Sequence, residues 1–415
     1  MTTESPVTTE SPESPVTTES PAQALMDLER EYLAQNYDRY PLAVGRGKGC
    51  YLYDLEGRRY LDFIAGIGVN ALGHAHPRIV KLIRQQAGLL IHCSNLYYHQ
   101  YQALLAKRLA EMSGLKRAFF ANSGTEAMEA ALKITRAHGR SIHPEKYEVI
   151  AAENSFHGRT LGALSITGQP KYRADFEPLL PGAKFVPVND AAALEARTSE
   201  RTAGIVLEMI QGEGGIYPMT AEFAAKAREL ADRYDALLVA DEIQCGLGRT
   251  GSYFAYQQGP NAILPDMMVT AKPLACGLPL GALLANEKAA AALKPGMHGT
   301  TFGGGPLGCR VALEFLDVLD ELMPSIRNMG AYFQEKLRAL AGKHGFVKEV
   351  RGFGLMLGME LTIPGKQLVL DAMQAGLLIN CTHDTVLRFL PPYIVTEKEI
   401  DRAVKILSRL FAKVE

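Results

Sequence analysis

Lys272 and Asp241 are the residues of this sequence whose types and positions best fit a chemical role. Lys272 follows the apolar run 267–269 and begins a loop rich in glycine and proline, and Asp241 ends the apolar run 237–240. Pyridoxal phosphate chemistry needs such a pair, an amine that forms a Schiff base and a carboxylate that keeps a pyridinium nitrogen protonated. The pair predicts a pyridoxal phosphate site with Lys272 as its catalytic amine.

A lysine alone carries little weight, because 44 residues are Lys or Arg and most such side chains are solvated charges. The positions of Lys272 and Asp241 at the ends of predicted strands are stronger evidence for a chemical role. Apolar runs without alternation, typical of strands buried on both faces, recur at 118–120, 149–151, 204–207, 237–240, 267–269 and 282–284. Helical patterns at 125–137 and 221–234 indicate a mostly parallel sheet. Ligands bind beyond the carboxyl ends of such strands, where both residues are predicted to lie.

The segment 121–127 predicts a phosphate site. It follows a strand and begins a helix, so the backbone amides near Gly124 and the hydroxyl of Thr125 face the positive end of the helix dipole. The same residues also fit an ordinary helix cap formed by Ser123 or Thr125. The segment by itself leaves both interpretations open.

The loop 155–160 places an aromatic ring and a guanidinium three residues apart. Phe156 could stack on a flat cofactor ring, and Arg159 could bind a substrate carboxylate with two hydrogen bonds. Core packing of Phe156 and a surface ion pair of Arg159 are the alternatives. His157 is interpreted as a structural or ring-positioning residue, because Lys272 is the better placed proton carrier.

Two further motifs are set aside. The glycines at 246–251 match a dinucleotide fingerprint in spacing, but no clear helix follows them. The pair His74 and His76 has no further ligands nearby, so no metal is predicted.

The size and composition of the chain favour a soluble enzyme that acts on small molecules. The 415 residues, 47% hydrophobic and 21% charged, can form a large core divided over about two or three domains. A net charge of -1 gives no electrostatic reason to expect nucleic acid or a membrane as partner. Six cysteines without a Cys-x-x-Cys pair, no signal peptide and no membrane-spanning stretch predict a cytoplasmic protein.

The patterns divide the chain into four segments. Residues 1–21 repeat Thr-Thr-Glu-Ser-Pro and are predicted to be a disordered, low-complexity tail. Residues 22–80, with a helix to about 36 and a hairpin at 51–63, are expected to contribute to a small domain. Residues 81–310 are expected to form the large cofactor-binding domain. Residues 311–415 complete the small α+β domain with a hairpin at 354–361, a strand at 386–390 and a helix at 397–411, after a helix from about 306 to 320.

Six ordered segments resemble the class III pyridoxal phosphate-dependent aminotransferases, and most closely the acetylornithine aminotransferases. These segments are 120–127, 156–163, 210–215, 241–244, 271–272 and 298–304, and the resemblance covers about residues 25–412. It implies an α/β protein of fold type I, with a mostly parallel central sheet in the large domain. The implied reaction moves the δ-amino group of N2-acetyl-L-ornithine to 2-oxoglutarate in arginine biosynthesis.

The resemblance also implies how the cofactor is bound. Ser123, Gly124 and Thr125 would bind its phosphate. Phe156 would stack on its ring, and Asp241 would pair with the ring nitrogen.

Two further cofactor contacts are implied by position. Gln244 would hydrogen-bond the phenolic oxygen, beside the covalent bond of Lys272. Thr301 would reach the phosphate of the neighbouring subunit's cofactor. The implied assembly is a homodimer with shared active sites.

Four residues are implied to bind amino-acid and 2-oxo-acid substrates. Arg159 would hold the α-carboxylate of N-acetylornithine, and Thr300 lies where the family has a substrate contact. Arg388 would hold the α-carboxylate of glutamate or 2-oxoglutarate. Glu213 would pair with Arg388 and release it when glutamate enters, since the incoming carboxylate replaces the lost charge partner.

The sequence also departs from the family pattern. Met209 follows Glu208 where a proline is usual, and Pro273 is predicted to push Lys272 toward an extended backbone. These departures leave the donor open among N-acetylornithine, ornithine, succinyldiaminopimelate, 4-aminobutyrate and a carrier-linked lysine. An aminomutase and a non-catalytic cofactor-binding protein are the alternatives from other classes.

Overall fold

The computed structural model describes residues 20–259 and 262–414, so nearly all of the predicted tail lies outside the described residues. The chain divides into two compact units. One consists of the described part of residues 1–46 together with 53–58, and the other consists of 47–52 and the described part of 59–415. Among the residues described, no helix combines the length and the apolar character needed to cross a bilayer.

The α-helices range from single turns to a helix of 36 residues. In chain order they are α1 Pro21–Tyr32, α2 Ala65–Gly68, α3 Pro77–Ala87, α4 Gln100–Ser113, α5 Gly124–Ile142, α6 Leu161–Ser165, α7 Pro170–Arg173, α8 Ala191–Arg197, α9 Ala221–Arg233, α10 Glu287–Ala290, α11 Pro306–Ala341, α12 Lys366–Gln374 and α13 Glu397–Phe411.

The strands are short and are concentrated in the unit that contains most of the chain. In chain order they are β1 Val44–Lys48, β2 Tyr51–Asp54, β3 Arg59–Asp62, β4 Arg117–Ala121, β5 Glu148–Ala152, β6 Ala183–Val186, β7 Thr202–Glu208, β8 Ile210–Gln211, β9 Tyr217–Pro218, β10 Leu237–Asp241, β11 Met267–Thr270, β12 Gly281–Ala285, β13 Val347–Phe353, β14 Met356–Leu361, β15 Leu377–Leu378, β16 Asn380–Thr382 and β17 Val386–Phe389.

Helix α1 lies in the smaller unit. It begins at Pro21, and the side chain of Ser20 caps it by accepting a hydrogen bond from the backbone of Gln23. The helix ends at Tyr32, several residues before the predicted end, because Leu33 adopts an extended backbone. None of its side chains is buried.

A seven-stranded sheet forms the centre of the larger unit, in the order β4-β12-β11-β10-β7-β5-β6. Neighbouring strands run parallel except around β12, which is antiparallel to both of its neighbours. The predicted α/β class with a mostly parallel sheet is therefore confirmed. All six strands predicted from apolar runs are present. Strand β6 was missed, because Ala183-Lys184-Phe185-Val186 offers only a short, interrupted apolar run.

The register of the sheet brings the predicted catalytic pair to one edge. Asp241 ends β10, opposite Glu208 on β7 and Val269 on β11. Lys272 lies just beyond the end of β11, where it begins a 3₁₀ turn that continues to Ala275. The predicted extended backbone at Lys272 is therefore wrong. A proline is tolerated at the second position of a helical turn, since its missing N–H has no intrahelical acceptor there.

The C-terminal part contains a second sheet, β13-β14-β17-β16, which is antiparallel throughout. The predicted helix near 306–320 is the long helix α11, which continues past Pro324 to Ala341. The predicted hairpin also begins earlier, because β13 starts at Val347. Helix α13 spans 397–411 as predicted.

Candidate active site

A cavity of about 390 Å³ opens beyond the carboxyl ends of β7, β10 and β11. Eight of the twelve residues assigned to the site from sequence line it, which are Ser123, Gly124, Thr125, Phe156, Arg159, Asp241, Gln244 and Lys272. They come from four separate segments of the chain, and the parallel sheet brings these segments together. The apolar remainder of the wall includes Val69, Ile243 and Leu278–Leu280.

Asp241 is almost fully buried and belongs to a hydrogen-bonded pair. Its Oδ2 lies 2.8 Å from Nδ1 of the buried His157, and its Oδ1 accepts from the backbone N–H of Ile243 at 3.1 Å. Although burial opposes a charged imidazole, the hydrogen bond and charge of Asp241 raise the pKa of His157. His157 is therefore a positioning partner of the carboxylate, in agreement with its sequence interpretation.

Among the residues that the structure describes, Lys272 is the only lysine that lines this cavity. Desolvation by the surrounding protein lowers its pKa. The charge of Arg388 lowers the pKa further, whereas the carboxylates of Glu213, Asp241 and Glu208 oppose the shift. The net downward shift makes the neutral, proton-accepting amine more accessible than on an exposed lysine.

The first turn of α5 forms one end of the cavity. Ser123 caps the helix, with its Oγ accepting from the backbone of Glu126 at 3.3 Å. The Thr125 hydroxyl lies 2.9 Å from the Thr160 hydroxyl and does not cap the helix. A Cβ at Gly124 would approach the Ile243 side chain to 2.7 Å, so a larger residue there would have to displace Ile243. The capping interpretation thus holds for Ser123, while the amides of Gly124 and Thr125 stay available to an anion.

Phe156 and Arg159 lie together at the opening of the cavity. Phe156 is half-buried, and its ring meets Tyr172 edge to face with centroids 6.0 Å apart. The exposed guanidinium of Arg159 lies 4.0 Å from the centroid of Tyr172. Within 20–259 and 262–414, Arg159 makes no ion pair, so the surface-pair alternative does not describe it. The positive charge is held by aromatic rings and remains open to an anionic ligand.

Arg388 and Glu213 form a salt bridge next to the cavity. Nη1 of the buried Arg388 donates to Oε1 of Glu213 at 2.5 Å and to the side-chain oxygen of Gln244 at 3.1 Å. Burial works to raise the pKa of Glu213, but Arg388, Lys272 and Gln244 together hold it below its ordinary value. The carboxylate therefore stays ionised. Neither Glu213 nor Arg388 lines the cavity itself, and Gln244 connects the pair to it.

Glu208 is a cavity residue that the sequence analysis did not assign to the site. Its two carboxylate oxygens accept from the backbone N–H groups of Phe156 and Gly212, each at 3.0 Å. Burial raises its pKa to about 7, and the charge of His157 counteracts this shift. The available signal was its position as the last residue of a buried strand, the same signal that identified Asp241.

Thr300 and Thr301 do not line the cavity. The hydroxyl of Thr300 accepts from the side-chain amide of Asn122, a cavity residue, at 3.2 Å. Thr301 is exposed on the surface, in the segment that follows. The single chain thus brings Thr300 to the edge of the site but leaves Thr301 outside it.

The histidine pair at 74 and 76 and the glycine-rich segment 246–251 have neither a metal-binding nor a dinucleotide-binding geometry. Nε2 of His74 hydrogen-bonds Asp62 at 2.7 Å. The glycine-rich loop 246–251 is followed by a short 3₁₀ turn at Ala255–Gln257 and not by an α-helix. In the part of the chain that the structure describes, no group of three or more His, Cys, Asp or Glu side chains could hold a metal ion.

The donor set of the cavity fits pyridoxal phosphate. A buried carboxylate suits a protonated ring nitrogen, an amine of lowered pKa suits the carbonyl carbon, and free amides at a helix N-terminus suit a phosphate. These three groups come from β10, the turn after β11 and the first turn of α5. Fold and site together define an α/β enzyme of the pyridoxal phosphate-dependent class.

The chain belongs to the class III aminotransferases, a family that uses pyridoxal phosphate. The family model described as "Aminotransferase class-III" matches residues 32–411. The chain is 47% identical to the acetylornithine aminotransferase of Methanocaldococcus jannaschii, over 94% of this chain and 98% of that protein. It is 48% identical to the acetylornithine aminotransferase of Aquifex aeolicus, over 91% and 99% of the two chains.

Solved structures agree with this assignment. The ornithine aminotransferase of Toxoplasma gondii superimposes with a TM-score of 0.90 at 34% identity, and the match covers 96% of each chain. The acetylornithine aminotransferase of Elizabethkingia anophelis superimposes with a TM-score of 0.84 at 30% identity, covering 95% of this chain and all of that one.

Proposed function

We propose that this aminotransferase moves the δ-amino group of N2-acetyl-L-ornithine to 2-oxoglutarate, giving N-acetylglutamate 5-semialdehyde and glutamate. Relatives at 47% and 48% identity carry the name acetylornithine aminotransferase over almost their whole length. The observation that carries the proposal is the salt bridge between the buried Arg388 and the half-buried Glu213, whose charges both act on Lys272. Such an enzyme accepts a δ-amine in one half-reaction and an α-amine in the other. It therefore needs a site for the substrate α-carboxylate that is blocked in the first half-reaction and free in the second.

In this proposal Lys272 moves the proton, and Asp241 keeps the cofactor ring able to accept electrons. Bound pyridoxal phosphate supplies an electron sink that makes the C–H next to the substrate nitrogen acidic. Asp241, held by His157, keeps a positive charge on the ring nitrogen. Lys272 accepts the proton from one carbon and returns it to another, which its lowered pKa favours. Phe156 would stack on the ring, and Gln244 would hydrogen-bond its phenolic oxygen.

The cofactor phosphate is proposed to bind at the start of α5. The amides of Gly124 and Thr125, in the first turn of the helix, would bind it there, since the helix dipole favours negative charge at this end. Ser123 fixes this turn through its cap to Glu126.

The substrates are distinguished by which arginine is free. Arg159, which has no ion-pair partner in the described chain, binds the α-carboxylate of N-acetylornithine while Glu213 keeps Arg388 neutralised. When glutamate enters, its α-carboxylate displaces Glu213 from Nη1 of Arg388. The exchange costs little, because one carboxylate replaces another at the same guanidinium. Thr300 contributes a hydroxyl at the edge of the substrate space.

A homodimer completes the proposed site, with Thr301 reaching the cofactor phosphate of the partner subunit. Asn95 joins the segments around 89–99 and 300–305, since its side-chain amide donates to the carbonyls of Thr300 and Gly303 at 3.2 and 3.1 Å. Large apolar side chains in these segments are exposed, which are Leu89, Leu90, Ile91, Leu96, Tyr97, Tyr98 and Phe302. Exposed apolar side chains on two segments that are joined in this way favour contact with a second copy. We propose a cytoplasmic location and the domain division 22–80, 81–310 and 311–415 on the sequence grounds given above.

The proposal is tested by the absorption of the cofactor in the purified enzyme. N-acetylornithine should bleach the visible absorption band, and 2-oxoglutarate should restore it. Ornithine is the second candidate donor, since the ornithine aminotransferase of T. gondii superimposes with a TM-score of 0.90. A larger kcat/KM for ornithine than for N-acetylornithine would replace the first proposal by the second. Transfer within one substrate without 2-oxoglutarate would indicate an aminomutase.

A further inference from the structure

Asn380 is the cross-strand neighbour of Arg388. The two residues lie opposite each other on the antiparallel strands β16 and β17. Side chains at directly opposed positions point to the same face of a sheet and are close enough to interact. On the other side of β17, the residue opposite Arg388 is Gly358, which has no side chain. Asn380 is therefore the cross-strand partner that can hold the Arg388 side chain.

The guanidinium of Arg388 is held at two of its nitrogens. Nε donates to the amide oxygen of Asn380 at 3.2 Å, while Nη1 donates to both Glu213 and Gln244. Of these three acceptors, only Glu213 is charged. If Glu213 leaves, Gln244 and Asn380 remain, and contacts at two separate nitrogens still fix the plane of the guanidinium. With Gln244 alone, the group could rotate about a single contact.

Strand β16 also anchors the main chain of Glu213. The hydroxyl of Thr382, two residues after Asn380, donates to the carbonyl oxygen of Glu213 at 2.6 Å. One short strand thus fixes the stem of the arginine and the backbone of its carboxylate partner. The contact between the Glu213 carboxylate and Nη1 is then the part of the arrangement that can open while the rest keeps its geometry.

We propose that Asn380 is a positioning residue for the second half-reaction. Its neutral amide keeps Arg388 oriented while Glu213 is displaced, so that the α-carboxylate of glutamate or 2-oxoglutarate meets a guanidinium already in place. This inference rests on the exchange at Arg388 proposed above. Neutrality is essential to it, because a carboxylate at position 380 would remain as a charge partner and oppose the incoming anion.

Asn380→Asp is the decisive substitution, since it keeps the size of the side chain and adds the competing charge. Replacing the neutral partner of Arg388 by a charged one should raise the half-saturating concentration of glutamate at least about tenfold, the cost of one charge-assisted hydrogen bond. The half-saturating concentration of N-acetylornithine should stay within about twofold, because Arg388 remains paired in that half-reaction. Asn380→Leu, which removes the acceptor without adding charge, should give a smaller effect in the same direction.

The two half-reactions are followed separately in single turnovers, and the affinity for glutarate, a dicarboxylate that carries no amine, is measured by calorimetry. Cys381→Ser is the matched control, since Cys381 lies opposite Leu387 and not Arg388. Weaker binding of glutarate and glutamate in Asn380→Asp, with N-acetylornithine unaffected and Cys381→Ser unchanged, supports the inference. Equal changes for both amines, or none for glutamate, would overturn it. If the wild-type enzyme fails to react with N-acetylornithine, the proposed donor is wrong, but the glutamate and glutarate results still decide the role of Asn380.

Discussion

Replacing Glu213 by glutamine removes the negative charge that is proposed to keep substrate carboxylates away from Arg388. The glutamine keeps the length and shape of the side chain and one oxygen that can accept from Nη1. Gln244 and Asn380 continue to hold the guanidinium, so the substitution removes a charge without leaving Arg388 empty of partners. The enzyme should therefore fold and bind its cofactor normally.

The magnitude follows from the kind of hydrogen bond that is weakened. The guanidinium is charged in both cases, so glutamine keeps a hydrogen bond with one charged partner and removes only the attraction between two opposite charges. At this partly buried position the loss is about 1–1.4 kcal/mol. The α-carboxylate of glutamate then displaces a more weakly bound side chain from Arg388. Its half-saturating concentration should fall about five- to tenfold.

N-acetylornithine should respond in the opposite sense. A freed Arg388 can capture its α-carboxylate, which takes the δ-amine away from Lys272 and lowers kcat/KM. Single-turnover bleaching of the cofactor by each amine measures both effects. Glu360→Gln is a matched control, since Glu360 pairs with the buried Arg351 away from the cavity. Unchanged or weaker glutamate binding in Glu213→Gln would refute the proposed exchange.

Three other substitutions test the remaining parts of the site. Asp241→Asn should reduce kcat about a hundredfold or more, because the ring nitrogen and His157 both lose their anionic partner; steady-state rates with cofactor content held equal would show it. Arg159→Lys should raise the half-saturating concentration of N-acetylornithine about tenfold without changing the cofactor spectrum, since lysine lacks the guanidinium fork. Glu208 retains a proton in the folded protein up to about pH 7, whereas the unfolded chain releases it near the ordinary value of 4.5. Its contribution to stability is therefore greatest at low pH and is lost as pH rises through that window. Urea midpoints of Glu208→Gln should fall less over this range than those of the wild-type enzyme, and parallel curves would contradict the assignment.

The sequence predicted the central sheet well, because its strands are buried on both faces and read as uninterrupted apolar runs. It also placed Asp241 and Lys272 correctly at the edge of the sheet. Local rules failed where tertiary packing overrode them. Pro324 did not end α11, since apolar side chains such as Ile326 and Phe333 continue to pack on the core beyond it. The backbone at Lys272 is not extended, because Pro273 is the second residue of a 3₁₀ turn, a position that tolerates proline.

Contacts made through strand register could not be read from spacing. The pair Arg388 and Glu213 was expected from family resemblance, and the structure brings it together. Asn380 and Glu208 were missed as site residues. The role of Asn380 depends on its position opposite Arg388 on the neighbouring strand, and one residue of register decides this. Glu208 could have been identified by its position at the end of a buried strand, as Asp241 was.

The residue to which the cofactor is covalently attached decides whether Lys272 has the role proposed for it. Borohydride reduction of the purified enzyme fixes pyridoxal phosphate to the amine that holds it, and mass spectrometry of the digested protein then identifies that residue. The predicted result is modification of the peptide that contains Lys272, at about one cofactor per chain, and no modification in Lys272→Ala. Modification of a different lysine, or retention of the label in Lys272→Ala, would contradict the account.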